Sequence, residues 1–235
     1  MDSSASEPAP GSPPARTPTA RARRRDRALA GAQERSGLHV QRCWPTSDPL
    51  YRAYHDEEWG RPVVDERGLY ERLCLEGFQS GLSWLTILRK REGFRSAFAG
   101  FDPELVARFG ERDSERLLAD TAIVRHRGKI EAAIANARAT VALRARGTPL
   151  ADLVWAHRPQ RSRTPRSAAD WVTETPESVA LSKTLKRAGF RFVGPTTVWA
   201  AMQACGLVND HLAGCWVREE VERELAELAS PRSSL

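Results

Sequence analysis

The chain has little of what marks a secreted, membrane or strand-rich protein. Its four cysteines, Cys43, Cys74, Cys205 and Cys215, are too few for a disulfide scaffold of this length. No apolar run approaches the roughly 20 residues a membrane span needs, and no signal-peptide apolar region is present. No stretch alternates apolar and polar residues convincingly enough to read as a strand. These absences point to a reduced, soluble, cytoplasmic, all-α protein without membrane contact. A strong charge excess is also missing. The formal net charge is +6, and residues 1–36 hold half of it, with seven arginines against four acidic residues. Any nucleic-acid surface on the remainder must therefore be local.

Residues 1–36 are rich in Ala, Pro, Ser and Arg and nearly devoid of large apolar side chains. They cannot bury enough surface to offset their ordering entropy and are expected to be disordered. From Gly37 the composition becomes globular. Ser47-Asp-Pro-Leu50, Asp65, Ser83, Pro103, Ser114, Thr148-Pro149 and Thr175-Pro176 read as helix starts. Ile130, Ile134, Ala137 and Val141 form an apolar stripe at helical spacing. Residues 157–169 read as a basic surface loop. A helix is expected near Thr196–Cys205. A last one is expected from about Asn209 to Ala229, carrying Val217, Val221, Leu225 and Leu228 on one face. The whole amounts to about ten short helices.

Four groups of residues can carry chemistry. Glu76 stands among Leu73, Leu75, Phe78, Leu82, Trp84 and Leu85. A carboxylate on such a face loses solvation and needs a cationic or hydrogen-bond-donating partner. With Trp84, Tyr51, Tyr54 and Trp59 it could line a pocket for a planar, positively charged ligand. Gly77 and Gly81 leave room for a close approach to the backbone.

Gly189–Thr197 lies between two predicted helices, the second starting at Pro195 or Thr196. The free N–H groups of such a terminus bind phosphate without reading base sequence, and Arg187 and Arg191 flank it. Arg125-His-Arg-Gly-Lys129 clusters cations at a helix start, where they oppose the helix dipole and suit a phosphate grip. Finally, His211 and Cys215, four residues apart on a predicted helix, join Cys43 and His55 as a candidate Cys₂His₂ set. Such a set can close a tetrahedral structural zinc site. The His-x-Glu plus Cys-x-x-Cys pattern of a zinc deaminase is absent, which disfavours a zinc hydrolase of small substrates.

Cys43-Trp44, Asp48-Pro-Leu-Tyr51, Tyr54-His-Asp56, Glu58-Trp-Gly60, Cys74-Leu-Glu-Gly77, Gly81-Leu-Ser-Trp84, Arg125-His-Arg-Gly-Lys129, Asn136-Ala-Arg138, Phe192-Val-Gly194, Met202–His211 and Gly214-Cys215 resemble the 3-methyladenine DNA glycosylase I family, in order and spacing. This is the constitutive alkylation-repair branch of the helix-hairpin-helix superfamily. The resemblance spans roughly Gln41–Val217. It implies a helix-hairpin-helix glycosylase domain over residues 37–217, two lobes around a base-binding cleft, and a helical extension over 218–235. It implies excision of N3-methyladenine, and with it N3-methylguanine, from alkylated double-stranded DNA by a monomer. It places Glu76 as the catalytic carboxylate and Tyr54, Trp59, Trp84, Trp44 and Tyr51 around the base. It assigns structural zinc to Cys43, His55, His211 and Cys215, and DNA contacts to Arg125, Arg127, Lys129, Gly194 and Thr196. Related glycosylases carry a catalytic Asp after the hairpin's second helix. Here Asn209 aligns with it, and Asp210 is one step, about 100° of helix, away. Asp210 is therefore not nominated. No hairpin Lys is placed as a lyase nucleophile, so no strand cleavage is expected. The competing expectation is a non-catalytic helix-hairpin-helix protein that binds DNA or senses lesions.

Overall fold

The computed structural model describes residues 41–160 and 163–229. The tail, and the expectations that rest on it, lie outside the described residues. Among those residues there is no strand, and ten α-helices carry the fold. They are α1 (Pro49–Glu57), α2 (Glu66–Gln79), α3 (Trp84–Ala97), α4 (Pro103–Val106), α5 (Glu111–Ala119), α6 (Arg127–Ala145), α7 (Leu150–Trp155), α8 (Pro176–Arg187), α9 (Pro195–Ala204) and α10 (Arg218–Ala229). No described helix is long and apolar enough to cross a membrane.

The caps explain most of the boundaries. Asp48 accepts the N–H groups of Leu50 and Tyr51 ahead of α1, and Asp65 accepts that of Gly68 in α2. Ser83 caps α3 through Thr86, and Thr175 exchanges capping bonds with Ser178 in α8. Each bond satisfies an N–H that a helix leaves without an internal partner. Two expected starts are displaced. α5 begins at Glu111 rather than Ser114, because the Asp113 carboxylate reaches back to the Gly110 N–H. The last helix begins at Arg218, not Asn209. Residues 205–217 are turns and irregular backbone. Arg218 holds them in that form by donating to the carbonyls of Asn209 and His211, which a helix would have used for its own bonds.

Helix α2 is the centre of the core. It packs against α3, α6, α7 and α9, so residues 72–78 are buried without interruption, Glu76 included. Tyr70 on the same helix donates its hydroxyl to the Ala133 carbonyl at 2.9 Å. A second apolar cluster gathers Tyr54, Trp59, Leu88, Leu212, Val217, Val221 and Leu225. α10 joins it, and its outer edge is clasped by Arg61, which pairs with Glu220 and Glu224.

α8 and α9 pack on each other and are joined by the connection 188–194. Buried Asn136 of α6 locks this connection. Its Oδ1 accepts the Arg191 N–H at 2.7 Å and its Nδ2 donates to the Arg191 carbonyl at 3.2 Å. Ser182 donates to the Val193 carbonyl at 2.6 Å. Between these anchors Phe192 is held at φ +55° with its ring half-exposed. Asn136→Ala would leave the part-buried main-chain groups of Arg191 without their protein partner, at about 1 kcal/mol. Urea unfolding should show that loss, with faster amide exchange in residues 188–194; unchanged stability would contradict this account of the connection.

Candidate active site and metal cluster

Glu76 is 4% exposed and faces a cavity of about 250 Å³ lined by Trp44, Tyr51, Tyr54, Trp59, Trp84 and Gln203, among others. All five aromatic residues anticipated around Glu76 are therefore brought together. Trp44 lies 5.0 Å from Trp59 and 5.3 Å from Tyr51, centroid to centroid, and Tyr54 lies 5.2 Å from Trp84. Glu76 Oε2 is buried without a hydrogen-bond partner, as are the indole N–H groups of Trp44 and Trp84. Buried polar atoms are seldom left unpaired in native proteins, and those that are call for an explanation. Burial pushes the Glu76 carboxyl up from the ordinary 4.5 to about 8, against the opposing pull of the Arg72 guanidinium.

The two glycines next to Glu76 serve different ends. A Cβ on Gly77 would stand 3.3 Å from Phe192 Cβ, so this glycine admits the 188–194 connection against α2. Gly81, at φ +80°, faces open space beside exposed Leu82. Other lining residues had no distinguishing mark in the sequence. Gln79 lies one turn beyond Glu76 on α2 and could have been found by helical spacing. Trp171, Val172, Ala200 and Gln203 come from a non-periodic loop and from α9. Trp171 is fixed there by its N–H bond to the Asp210 carbonyl, at 3.0 Å.

The ligand atoms of Cys43, His55, His211 and Cys215 lie within 4.8 Å of one another, and all four residues are buried. Cys43 Sγ is 3.2 Å from His211 Nδ1, and Cys215 Sγ is 3.5 Å from His211 Nδ1 and 3.6 Å from His55 Nε2. His211 and Cys215 do not share a helical face as expected; the turn at 211–215 brings them together. Both imidazoles are oriented from behind. His55 Nδ1 meets Asp56 at 2.7 Å, and Asp56 is gripped by Arg42. His211 Nε2 meets the Trp59 carbonyl at 3.0 Å. A carbonyl only accepts, so that nitrogen carries the proton and Nδ1 presents a lone pair to the cluster. The hydrogen bond between the thiols lowers Cys215 and, with burial, raises Cys43. The set could hold one metal ion.

The expected DNA contacts divide. Arg125 and Arg127 are exposed, although Arg127 pairs with Glu111 at 2.8 Å. Gly194 caps α9 without a side chain, nothing stands within 4 Å of where its Cβ would be, and Thr196 is exposed above Pro195. Lys129 is placed differently from the two arginines. It is buried and donates to the carbonyls of Phe78 and Ser80, where it closes the C-terminal end of α2. A cation there complements the helix dipole, which overrides its place in a basic sequence run. Asn209 and Asp210 do not line the cavity that holds Glu76. Asn209 bonds the Arg218 carbonyl and the His211 N–H, and Asp210 accepts from Gln203 at 2.6 Å.

A fold that is helical throughout the described residues, with a buried carboxylate in an aromatic cavity beside a Cys₂His₂ cluster, defines a narrow class. The methyladenine glycosylase family model matches residues 44–219, and the chain belongs to that family of enzymes, which hydrolyse N-glycosyl bonds. Among its relatives is DNA-3-methyladenine glycosylase 1 of Escherichia coli K12, 52% identical over 180 residues, covering 75% of this chain and 96% of the relative. DNA-3-methyladenine glycosylase of Haemophilus influenzae Rd is 44% identical, covering 74% and 96%. A crystal structure of 3-methyladenine DNA glycosylase I superposes with TM-score 0.73 at 52% identity, covering 75% of this chain and 98% of that one. The Staphylococcus aureus enzyme, solved to explain 3-methyladenine recognition, gives 0.72 at 37% identity, covering 76% and 97%.

The position of Glu76 has a consequence for stability. Its folded-state value, about 8, lies above the 4.5 of an exposed carboxyl. Between those values the native state holds the proton and the unfolded state does not. The contribution of Glu76 is therefore fully present below about pH 4.5 and is lost as pH rises through about 8, an effect on the order of 4 kcal/mol. Glu76→Gln removes the titration. Relative to wild type it should gain stability between about pH 4.5 and 8 and level off above that in urea unfolding; a difference that does not change with pH would contradict the assignment.

Proposed function

We propose that the protein is a monofunctional, monomeric and cytoplasmic DNA N-glycosylase that excises N3-methyladenine, and with it N3-methylguanine, from alkylated double-stranded DNA. The observation that carries this reading is the unpartnered, buried carboxylate of Glu76 inside a cage of electron-rich rings. N3-methyladenine is a cation in its glycosidic linkage and already a good leaving group. The enzyme has to find the base, extract it and hold it. Extraction costs a few kcal/mol, less for a damaged pair. Each aromatic face attracts the cationic ring by about 0.5–2 kcal/mol. Glu76 accepts from the exocyclic amine and offsets the positive charge, and the unpaired N–H groups of Trp44 and Trp84 are available to the base's ring nitrogens. The glycosidic bond breaks with its electron pair going to the base, which leaves as neutral 3-methyladenine, while water adds at the sugar carbon and releases one proton to solvent.

In this reading α8, the connection and α9 form the helix-hairpin-helix. The free N–H groups at the start of α9, around Gly194 and Thr196, hold a phosphate, and Arg125 and Arg127 flank the same strand. The Cys43–His55–His211–Cys215 set holds zinc. With bonds near 2.3 Å to sulfur and 2.0 Å to nitrogen, tetrahedral ligand atoms stand roughly 3.3–3.8 Å apart, and three of the six separations, 3.2, 3.5 and 3.6 Å, suit that spacing. Four protein ligands leave no open position for a reacting water, so the ion ties the chain's early and late segments together.

Incubation with methylated duplex DNA, followed by analysis of released bases, should yield 3-methyladenine with no strand breaks before alkali. DNA binding without base release would favour the non-catalytic alternative. Glu76→Gln should weaken binding of free 3-methyladenine at least tenfold; unchanged affinity removes Glu76 from recognition. Zinc removal by a chelator should lower Tm before it alters the preference among bases, and equal stability with and without zinc would rule out the staple.

A further inference from the structure

Glu76 has a neighbour for which neither the reaction nor the DNA contacts have a use. Arg72 lies one turn earlier on α2 and is 8% exposed, an unusual place for a guanidinium. Its Nη2 donates to Glu58 at 2.8 Å, and its charge lies 5.5 Å over the ring of Tyr54, a wall of the cavity. Its Nη1 is buried with no hydrogen-bond partner. Glu58 does not neutralise it alone. The same carboxylate also receives both terminal nitrogens of Arg91, one of them at 2.8 Å. Buried Arg72 and half-buried Arg91 thus share one anion and leave one positive charge in surplus behind the cavity. Glu76 is the next acidic group on the same helix face, and it lacks a hydrogen-bond partner at Oε2. The four side chains are electrically balanced only when Glu76 is ionised.

We propose that Arg72 is a positioning residue for Glu76: its surplus charge keeps the anionic form of Glu76 accessible near neutral pH and so sets the pH range in which the cavity accepts a cationic base. The other titratable groups that interact with Glu76 are Tyr51, Tyr54 and Cys205. Burial raises each of them, so they remain uncharged through the neutral range, and none can replace the guanidinium. The arrangement resolves a conflict inherent in the site. The cavity has to be dry for aromatic stacking to discriminate, yet dryness drives a carboxyl to keep its proton. A cation fixed on the protein side opposes that drive without entering the cavity, since Arg72 is absent from its lining.

The role rests on the glycosylase reading for its purpose, but the electrostatic effect can be measured without DNA. The full chain would be labelled with ¹³C at glutamate carboxyls, and the Glu76 signal identified by its loss in Glu76→Gln. Titration should then place the Glu76 midpoint at least one pH unit higher in Arg72→Met than in wild type. Arg72→Lys, which retains the charge, should return most of the difference. A midpoint in Arg72→Met equal to or below that of wild type overturns the proposal. Should Arg72→Met fail to fold, Arg72→Gln and Arg72→Lys supply the same comparison, and equal midpoints in those two also overturn it. In parallel, 3-methyladenine release at pH 7 should fall at least tenfold in Arg72→Met and recover towards wild type as pH rises. If wild type releases no 3-methyladenine, the functional reading fails while the titration still decides the role of Arg72.

Discussion

The structure is organised around one unfavourable act, the burial of a carboxyl group with an oxygen that no other side chain bonds. A group in that position costs several kcal/mol when ionised. Such a cost persists only where the rest of the fold supports it and a ligand can use it. Here the support is the position of α2. Because this helix is packed against α3, α6, α7 and α9, the Glu76 side chain is buried and faces the aromatic cavity. In the function proposed above, an electron-rich slot with a latent negative charge suits a purine that methylation has made cationic better than an ordinary neutral base.

The aromatic wall is built from the same stretches of chain as the metal cluster. Trp44 follows Cys43, Tyr54 precedes His55, and the Trp59 carbonyl receives the His211 ring. Trp44 meets the His55 ring, and Trp59 the His211 ring, each edge-on at 4.7 Å between centroids. Trp171 hangs from the carbonyl of Asp210, the residue before His211. In the proposed holoenzyme, an ion held by these four residues would fix the cavity's outer wall as well as joining the segments around Cys43 and Cys215.

Much of this was legible in the sequence, where the deciding interaction is local or strongly patterned. Asp48, Asp65, Ser83 and Thr175 start their helices as written because an N-cap acts over three residues. The burial of Glu76 was legible from its apolar neighbours on α2, and the meeting of the four Cys and His ligands from their residue types. What escaped depends on distant partners. The turn at 209–217 exists because Arg218 takes carbonyls that a helix would use. Lys129 sits in a basic run, yet spends its charge on the end of α2, some fifty positions away along the chain. Trp171 reaches the cavity from a loop with no period to read. Arg72 looks like one more solvated helix arginine until its two-to-one sharing of Glu58 with Arg91 is seen.

The central claim is that an ionised Glu76, held in a dry aromatic cavity, selects the cationic base. N3-methyladenine in DNA bears its charge at every pH, so the pH dependence of its release reports on the protein. The decisive measurement is kcat/KM for release of 3-methyladenine from methylated duplex DNA between pH 6 and 9, in wild type and Glu76→Gln. The account requires wild-type kcat/KM to climb through a midpoint near pH 8, where the carboxyl loses its proton, and to flatten towards pH 9, with Glu76→Gln low and flat. A flat wild-type profile, or the same rise in Glu76→Gln, would contradict it.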